Sequence, residues 1–171
     1  MKPDQLSIPL GTRVIGWREW VELPDLGIPS IKAKVDTGAR TSSLHAFNVE
    51  EYGDGGRQMV RFELMPEQRN SRIVVSAVAP LVEHRKVTPS SGQAEVRPVV
   101  LTTIGLLGEL WPVELTLTSR DQMGFRMLLG RQALRRRFVV DPGRSFLNGR
   151  RVKGTRRLAR PRARKSRVKK R

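Results

Sequence analysis

The chain has 171 residues, 38% of them hydrophobic, which is enough for about one domain with a buried core. It contains no cysteine, so disulfide frameworks, thiolate metal clusters and cysteine nucleophiles are excluded. Its formal charge is +17 at pH 7, but residues 150–171 hold 13 Lys and Arg and no acid, leaving 20 basic and 16 acidic residues in 1–149 and a net of only +4 there.

The opening MKPDQLSIPLG has no apolar run of signal-peptide length, and nothing later reaches the roughly 18 apolar residues of a membrane span. The expectation is therefore a cytoplasmic protein with no membrane partner. Along residues 1–149 the dominant hydrophobic period is two, the mark of strands. Strands are expected at Arg13–Glu22, Ser30–Val35, Leu44–Tyr52, Val60–Leu64, Arg72–Val78, Val96–Ile104, Val113–Leu117 and Arg126–Leu129. In two of them the alternation predicts half-buried strands: Val60, Phe62 and Leu64 against Arg61 and Glu63, and Val113, Leu115 and Leu117 against Glu114, Thr116 and Thr118. Turns fall at Pro24–Pro29, Gly53–Gly56, Pro89–Gly92 and Gly105–Gly108, and one short helix follows Gly130, from Arg131 to about Arg137. Trp17, Trp20 and Trp111 read as packing residues. Many short strands imply an all-β domain over 1–149, closed or sandwiched to hide its edges. Residues 150–171, with few apolar side chains at no fixed period, read as a disordered Lys/Arg-rich tail. Thirteen cations suit electrostatic contact with RNA or a ribosome, without base stacking because no aromatic residue interleaves them.

The segment IKAKVDTGARTSSLHA carries the chemistry. An apolar strand ends on Asp36, and Thr37 and Gly38 then turn the chain sharply. Gly38 tolerates positive φ and the close approach of a second group, and the Thr37 hydroxyl is a candidate to fix the loop. Such a turn presents a carboxylate at the end of a rigid sheet, as proton transfer requires. About 90 residues on, RMLLGRQAL sets an apolar pair before Gly130 and Arg131 and a short helix. Between the two lies VTPSSGQAEVRPVV, a turn flanked by strand residues.

These three features, in this order, resemble the retroviral-type or retropepsin-like aspartic peptidases over about residues 12–141. The stretches GWREWVELPDLGIPSIKAKVDTGARTSSLHA, EVRPVV and RFVVDPGRSF are similar to the bacterial family labelled ATP-dependent zinc protease, whose retropepsin-like domain accompanies glutamate ligases of the ATP-grasp type. The resemblance implies a closed retropepsin-like barrel and an aspartic endopeptidase acting on peptides. Asp36 is then the catalytic carboxylate, Thr37, Gly38 and Ala39 the loop that fixes it, and Ser90, Ser91 and Gly92 the tip of a flap. Arg40, Gly130 and Arg131 stand beside the site in structural roles. The dyad of that mechanism needs two such aspartates. Asp54 and Asp141 lack the Thr and the preceding apolar strand, so the second comes from a second copy and a homodimer is implied. Retroviral members carry an acid after the Ala and pair it with the Arg of Gly-Arg; here Arg40 stands in its place and is expected to face Arg131. Neither zinc nor ATP finds support in the residues, since only His45 and His84 are present, without an HExxH motif or a Gly-rich P-loop. His45 is expected to be a hydrogen-bonded structural residue and His84 to face solvent, so neither a metal site nor a cofactor is assigned. The alternative is an inactive peptide-binding or adaptor module associated with ATP-grasp ligases.

Overall fold

The structure, a computed structural model, describes residues 13–67, 72–88, 92–119 and 124–149. The basic tail, and Pro89, Ser90 and Ser91 of the expected flap tip, lie outside the described residues. In chain order the strands are β1 (Arg13–Gly16), β2 (Arg18–Leu23), β3 (Ile28–Val35), β4 (Ser42–His45), β5 (Phe47–Asp54), β6 (Arg57–Leu64), β7 (Val75–Val87), β8 (Glu95–Leu106), β9 (Glu109–Thr118), β10 (Met127–Leu129) and β11 (Phe138–Asp141), with helix α1 (Arg131–Leu134) between the last two.

Six strands close on themselves in the order β2-β3-β10-β4-β9-β8, and the seam is the pairing of Glu22 on β2 with Gly105 on β8. This is the expected all-β closed barrel with one short helix. Beyond β8 the sheet continues through β7 and β6 to the edge strand β5, while β1 and β11 form a separate parallel pair. Alternation places the core: Val60, Phe62 and Leu64 on β6 are fully buried, and Arg61 between them is exposed. Burying each such large side chain contributes about 1.5–3 kcal/mol before ordering entropy is set against it. On β9 the simple alternation fails, because Thr116 and Thr118 are buried along with Leu115 and Leu117. The Thr116 hydroxyl satisfies itself by donating to the Ser42 carbonyl oxygen at 3.0 Å, which lets a β-branched polar residue occupy a covered face.

Several element boundaries move for identifiable reasons. The strand expected over Arg13–Glu22 divides at Trp17, whose N–H donates to the Arg144 carbonyl oxygen instead of a neighbouring strand. The expected turn at Pro24–Pro29 contains a single turn of 3-10 helix, Pro24–Leu26, and ends sooner. Leu44–Tyr52 divides at Ala46 into β4 and β5. The strand expected to stop at Val78 runs on to Val87, bulging between Leu81 and Glu83 as β7 leaves β6 for β8. The helix stops at Leu134 rather than Arg137, since Arg135 turns to an extended ψ of 139° and Arg136 then takes φ +65°, and β11 was not foreseen.

Glu19 is the least expected core residue. It is 0% exposed and accepts backbone N–H donors from Gly16 at 2.7 Å, Leu147 at 2.9 Å and Asn148 at 3.1 Å. A buried carboxylate is tolerable only when hydrogen-bonded in this way. It fastens residues 147–148 to the first strands, and the Asn148 side chain adds a bond to the Trp20 carbonyl oxygen at 2.8 Å. The tryptophans pack as expected: Trp111 is buried against Phe138, Trp20 stacks on Phe146 and Trp17 meets the edge of Phe125.

Candidate functional site

Strands β3 and β10 run parallel with Val35 opposite Leu129, so the two chains leave the barrel side by side, one into Asp36 and the other into Gly130. The Asp36 N–H donates to the Leu129 carbonyl oxygen at 2.9 Å and extends the ladder by one step. The chain then turns, and Asp36 Oδ1 accepts the N–H groups of Gly38 and Ala39, each at 3.1 Å. Among the described residues no donor meets Oδ2. Asp36 is half-buried, while Thr37, Gly38 and Arg40 are exposed.

Arg131 holds this turn from behind. Its guanidinium donates to the carbonyl oxygens of Thr37 at 2.8 Å and Gly38 at 2.9 Å. The first N–H groups of α1 serve the same loop, from Arg131 to the Ala39 carbonyl oxygen at 2.9 Å and from Gln132 to that of Arg40 at 3.1 Å. A helix start with no side-chain cap thus finds its missing acceptors in the Asp36 loop. Gly130 makes the docking feasible, because a Cβ there would stand 2.4 Å from the carbonyl carbon and oxygen of Thr41. Its N–H donates to Ser42 Oγ at 3.1 Å, a contact with no distinct signal in the sequence beyond the hydroxyls crowding the turn.

Two expectations change. Arg131 was expected to oppose Arg40, but its guanidinium is committed to loop carbonyls, and Arg40 is an exposed cation. The Thr37 hydroxyl has no partner among the described residues, and Thr37 contributes to the loop through its carbonyl. Asp36, Gly38, Ala39, Gly130 and Arg131 are brought together; Gly92 belongs to a different hairpin, and Ser90 and Ser91 lie outside the described residues.

That hairpin joins β7 to β8, paired from Leu81 with Val100 out to Val87 with Glu95. Gly92, in the connection, is exposed with φ +91°. Charged pairs brace the stem. Arg85 bonds Glu114 on β9 at 2.7 Å and also Glu83, and the Glu114 hydrogen bond chiefly raises the Arg85 pKa above its ordinary value. Buried Arg97 pairs with Glu95. His84 is half-exposed and meets Glu51 Oε1 on β5 at 2.8 Å. His45 is buried on β4, its N–H donating to the Arg126 carbonyl oxygen at 2.8 Å. Among the described residues no group of three or more His, Cys, Asp or Glu is placed to hold a metal ion.

Residues 14–151 match the model of the RimB-like family, described as the retropepsin-like aspartic endopeptidase RimB. Chains named probable alpha-L-glutamate ligase are similar: that of Shewanella pealeana is 47% identical over 136 residues, and that of Desulfotalea psychrophila 44% over 137. Each alignment covers 80% of this chain and 30% of the relative, so the chain spans about 30% of the length of the curated relatives it matches. The crystal structure of a Legionella pneumophila protein of unknown function is 30% identical, with a TM-score of 0.69 over 80% of this chain and 98% of that one. An aspartate turn held by Gly-Arg at the mouth of a six-stranded barrel, in a chain matched by that model over 14–151, makes this protein a member of the RimB-like family of retropepsin-like domains.

Proposed function

We propose that the chain is an aspartic endopeptidase that works as a homodimer, with Asp36 supplied once by each copy. The observation that carries this reading is the Asp36 turn: Oδ1 fixed by two backbone N–H groups, Oδ2 left without a donor among the described residues, and the whole turn braced by Arg131. Two carboxylates about 4 Å apart repel by about 4 kcal/mol at an effective dielectric near 20. Such a pair holds one proton between its members and titrates as a unit. The ionised member takes a proton from water as the oxygen attacks the peptide carbonyl, and the protonated member supplies a proton to the carbonyl oxygen. The β7–β8 hairpin, whose connection includes Gly92, closes over the extended peptide. The relatives' name, probable alpha-L-glutamate ligase, supports a place beside a glutamate ligase.

Asp36→Asn tests the mechanism. It should abolish cleavage of unstructured peptides and leave the melting temperature within about 2 °C of the parent, since the amide retains an oxygen for Gly38 and Ala39. Persistent cleavage sinks the assignment. A second reading, an inactive peptide-binding adaptor for the ligase, is favoured by one observation: Arg131 is occupied with its own loop and Arg40 is an exposed cation, so the ion pair of retroviral members has no counterpart among the described residues. A chain that stays monomeric at high concentration and binds peptide without cutting it would decide for the adaptor.

A further inference from the structure

Beyond the closed barrel the sheet ends in β5, whose one neighbour among the described residues is β6. Its other long side presents main-chain N–H and C=O groups that no strand pairs among the described residues. Six of its eight residues are exposed and none is buried. Sheets commonly blunt such an edge with Pro, Lys or a bulge. β5 has neither Pro nor Lys, and its bulge is confined to the start, between Phe47 and Glu50, where Asn48 takes φ +50°. From Glu50 to Asp54 it runs in even register against Arg61 to Arg57, which makes a regular template for a further strand.

The edge carries negative charge. Glu50, Glu51 and Asp54 lie on β5 without a single base, although residues 1–149 as a whole are net basic. Alternation sets Glu50, Tyr52 and Asp54 on one face and Glu51 on the other. The cations that meet them stand behind the edge. Glu50 Oε2 accepts from Arg61 on β6 at 3.1 Å, and Glu51 Oε1 meets His84 on β7 at 2.8 Å. Among the described residues the second oxygen of each carboxylate has no donor, and the Glu50 side chain is 64% exposed. Val49 is exposed as well, and Tyr52 lies under the Arg61 guanidinium, 5.0 Å from ring centre to Cζ.

We propose that β5 accepts an extended, Lys- or Arg-bearing segment of a protein partner as an added strand. Main-chain hydrogen bonds supply the pairing, and Glu50, Glu51 and Asp54 select cations on both faces of the incoming strand. A second copy of β5 is a poor match. In every register its three acids would meet acids or neutral residues and never a cation, and like charges placed opposite each other destabilise a strand pair. A nucleic acid would meet the same repulsion. The surface shares no residue with the Asp36 turn, so the proposal does not depend on the peptidase reading.

The test uses the full chain and a fluorescein-labelled decapeptide of Val and Lys with cations at adjacent positions, read by anisotropy and by hydrogen exchange. The peptide should bind and slow exchange at amides within Val49–Asp54, whereas the same peptide with Glu for Lys should leave those amides unprotected. Glu50→Lys with Glu51→Lys should weaken the Lys peptide about tenfold, and Glu50→Gln with Glu51→Gln about threefold. Asp36→Asn should bind as the parent does, so failure of the peptidase reading leaves this result intact. Binding without new protection in β5, or equal affinity in the charge-reversed variant, overturns the proposal. Protection of the same amides on concentrating the chain without peptide would assign the edge to a second copy instead.

Discussion

Gly130→Ala probes the joint between the Asp36 turn and α1. The new Cβ would lie 2.4 Å from both the carbonyl carbon and oxygen of Thr41 and 2.9 Å from its nitrogen. Ordinary contact begins near 3.4 Å, so the two segments must part by about 1 Å, and since both are backbone no rotamer change relieves the overlap. Overpacking of this kind costs about 1–3 kcal/mol, and the strained bonds from Gly130 N–H to Ser42 Oγ and from Arg131 N–H to the Ala39 carbonyl oxygen add about 1 kcal/mol. The expected destabilisation is about 3 kcal/mol, read as a lower urea midpoint at unchanged slope. Gly53→Ala is the matched control, because its Cβ would meet nothing within 4 Å. A loss below about 1 kcal/mol for Gly130→Ala, or an equal loss for Gly53→Ala, would refute the argument that backbone proximity dictates glycine at 130.

Other expectations rest on independent contacts. Glu19→Gln should cost about 2 kcal/mol in urea unfolding, because an amide cannot accept from Gly16, Leu147 and Asn148 at once without setting its own N–H₂ against one donor; Glu19→Ala should cost about twice that. Arg131→Gln should speed hydrogen exchange at the Gly38 and Ala39 amides and reduce peptide cleavage at least tenfold, while costing only about 1 kcal/mol of stability because the group is exposed. For Arg85 the sign is that of a base whose folded pKa is raised. Its contribution is complete at every pH below the guanidinium's ordinary range and is lost only above it. The stability difference between the parent and Arg85→Gln should therefore show no step from the Arg85 titration between about pH 6 and 9, with destabilisation of about 1 kcal/mol.

Much of the barrel was legible because period two survives wherever one face is wet, as on β6, where Arg61 breaks the run of Val60, Phe62 and Leu64. It misled on β9, whose threonines are polar in sequence and buried in space. Strand β11 went unseen because its partner, β1, is more than a hundred residues away and no local pattern announces that pairing. At the site, the residue types were readable but not their division of labour. Arg131 looked like half of a cation pair, whereas the parallel exit of β3 and β10 delivers it to two carbonyl oxygens. Glu19 shares the alternation phase of Val21 and Leu23, a sign that its side chain points inward, yet the donors it meets lie mostly at the far end of the chain.

The cylinder is completed by one residue pair, Glu22 with Gly105, whereas β8 and β9 are laddered along most of their length. Thermal fluctuation should split the wall along that line first, as a slit between β2 and β8 that opens and reseals without unfolding the rest. Because β8 also forms one side of the β7–β8 hairpin, breathing at the slit would carry along the strand to the hairpin's base.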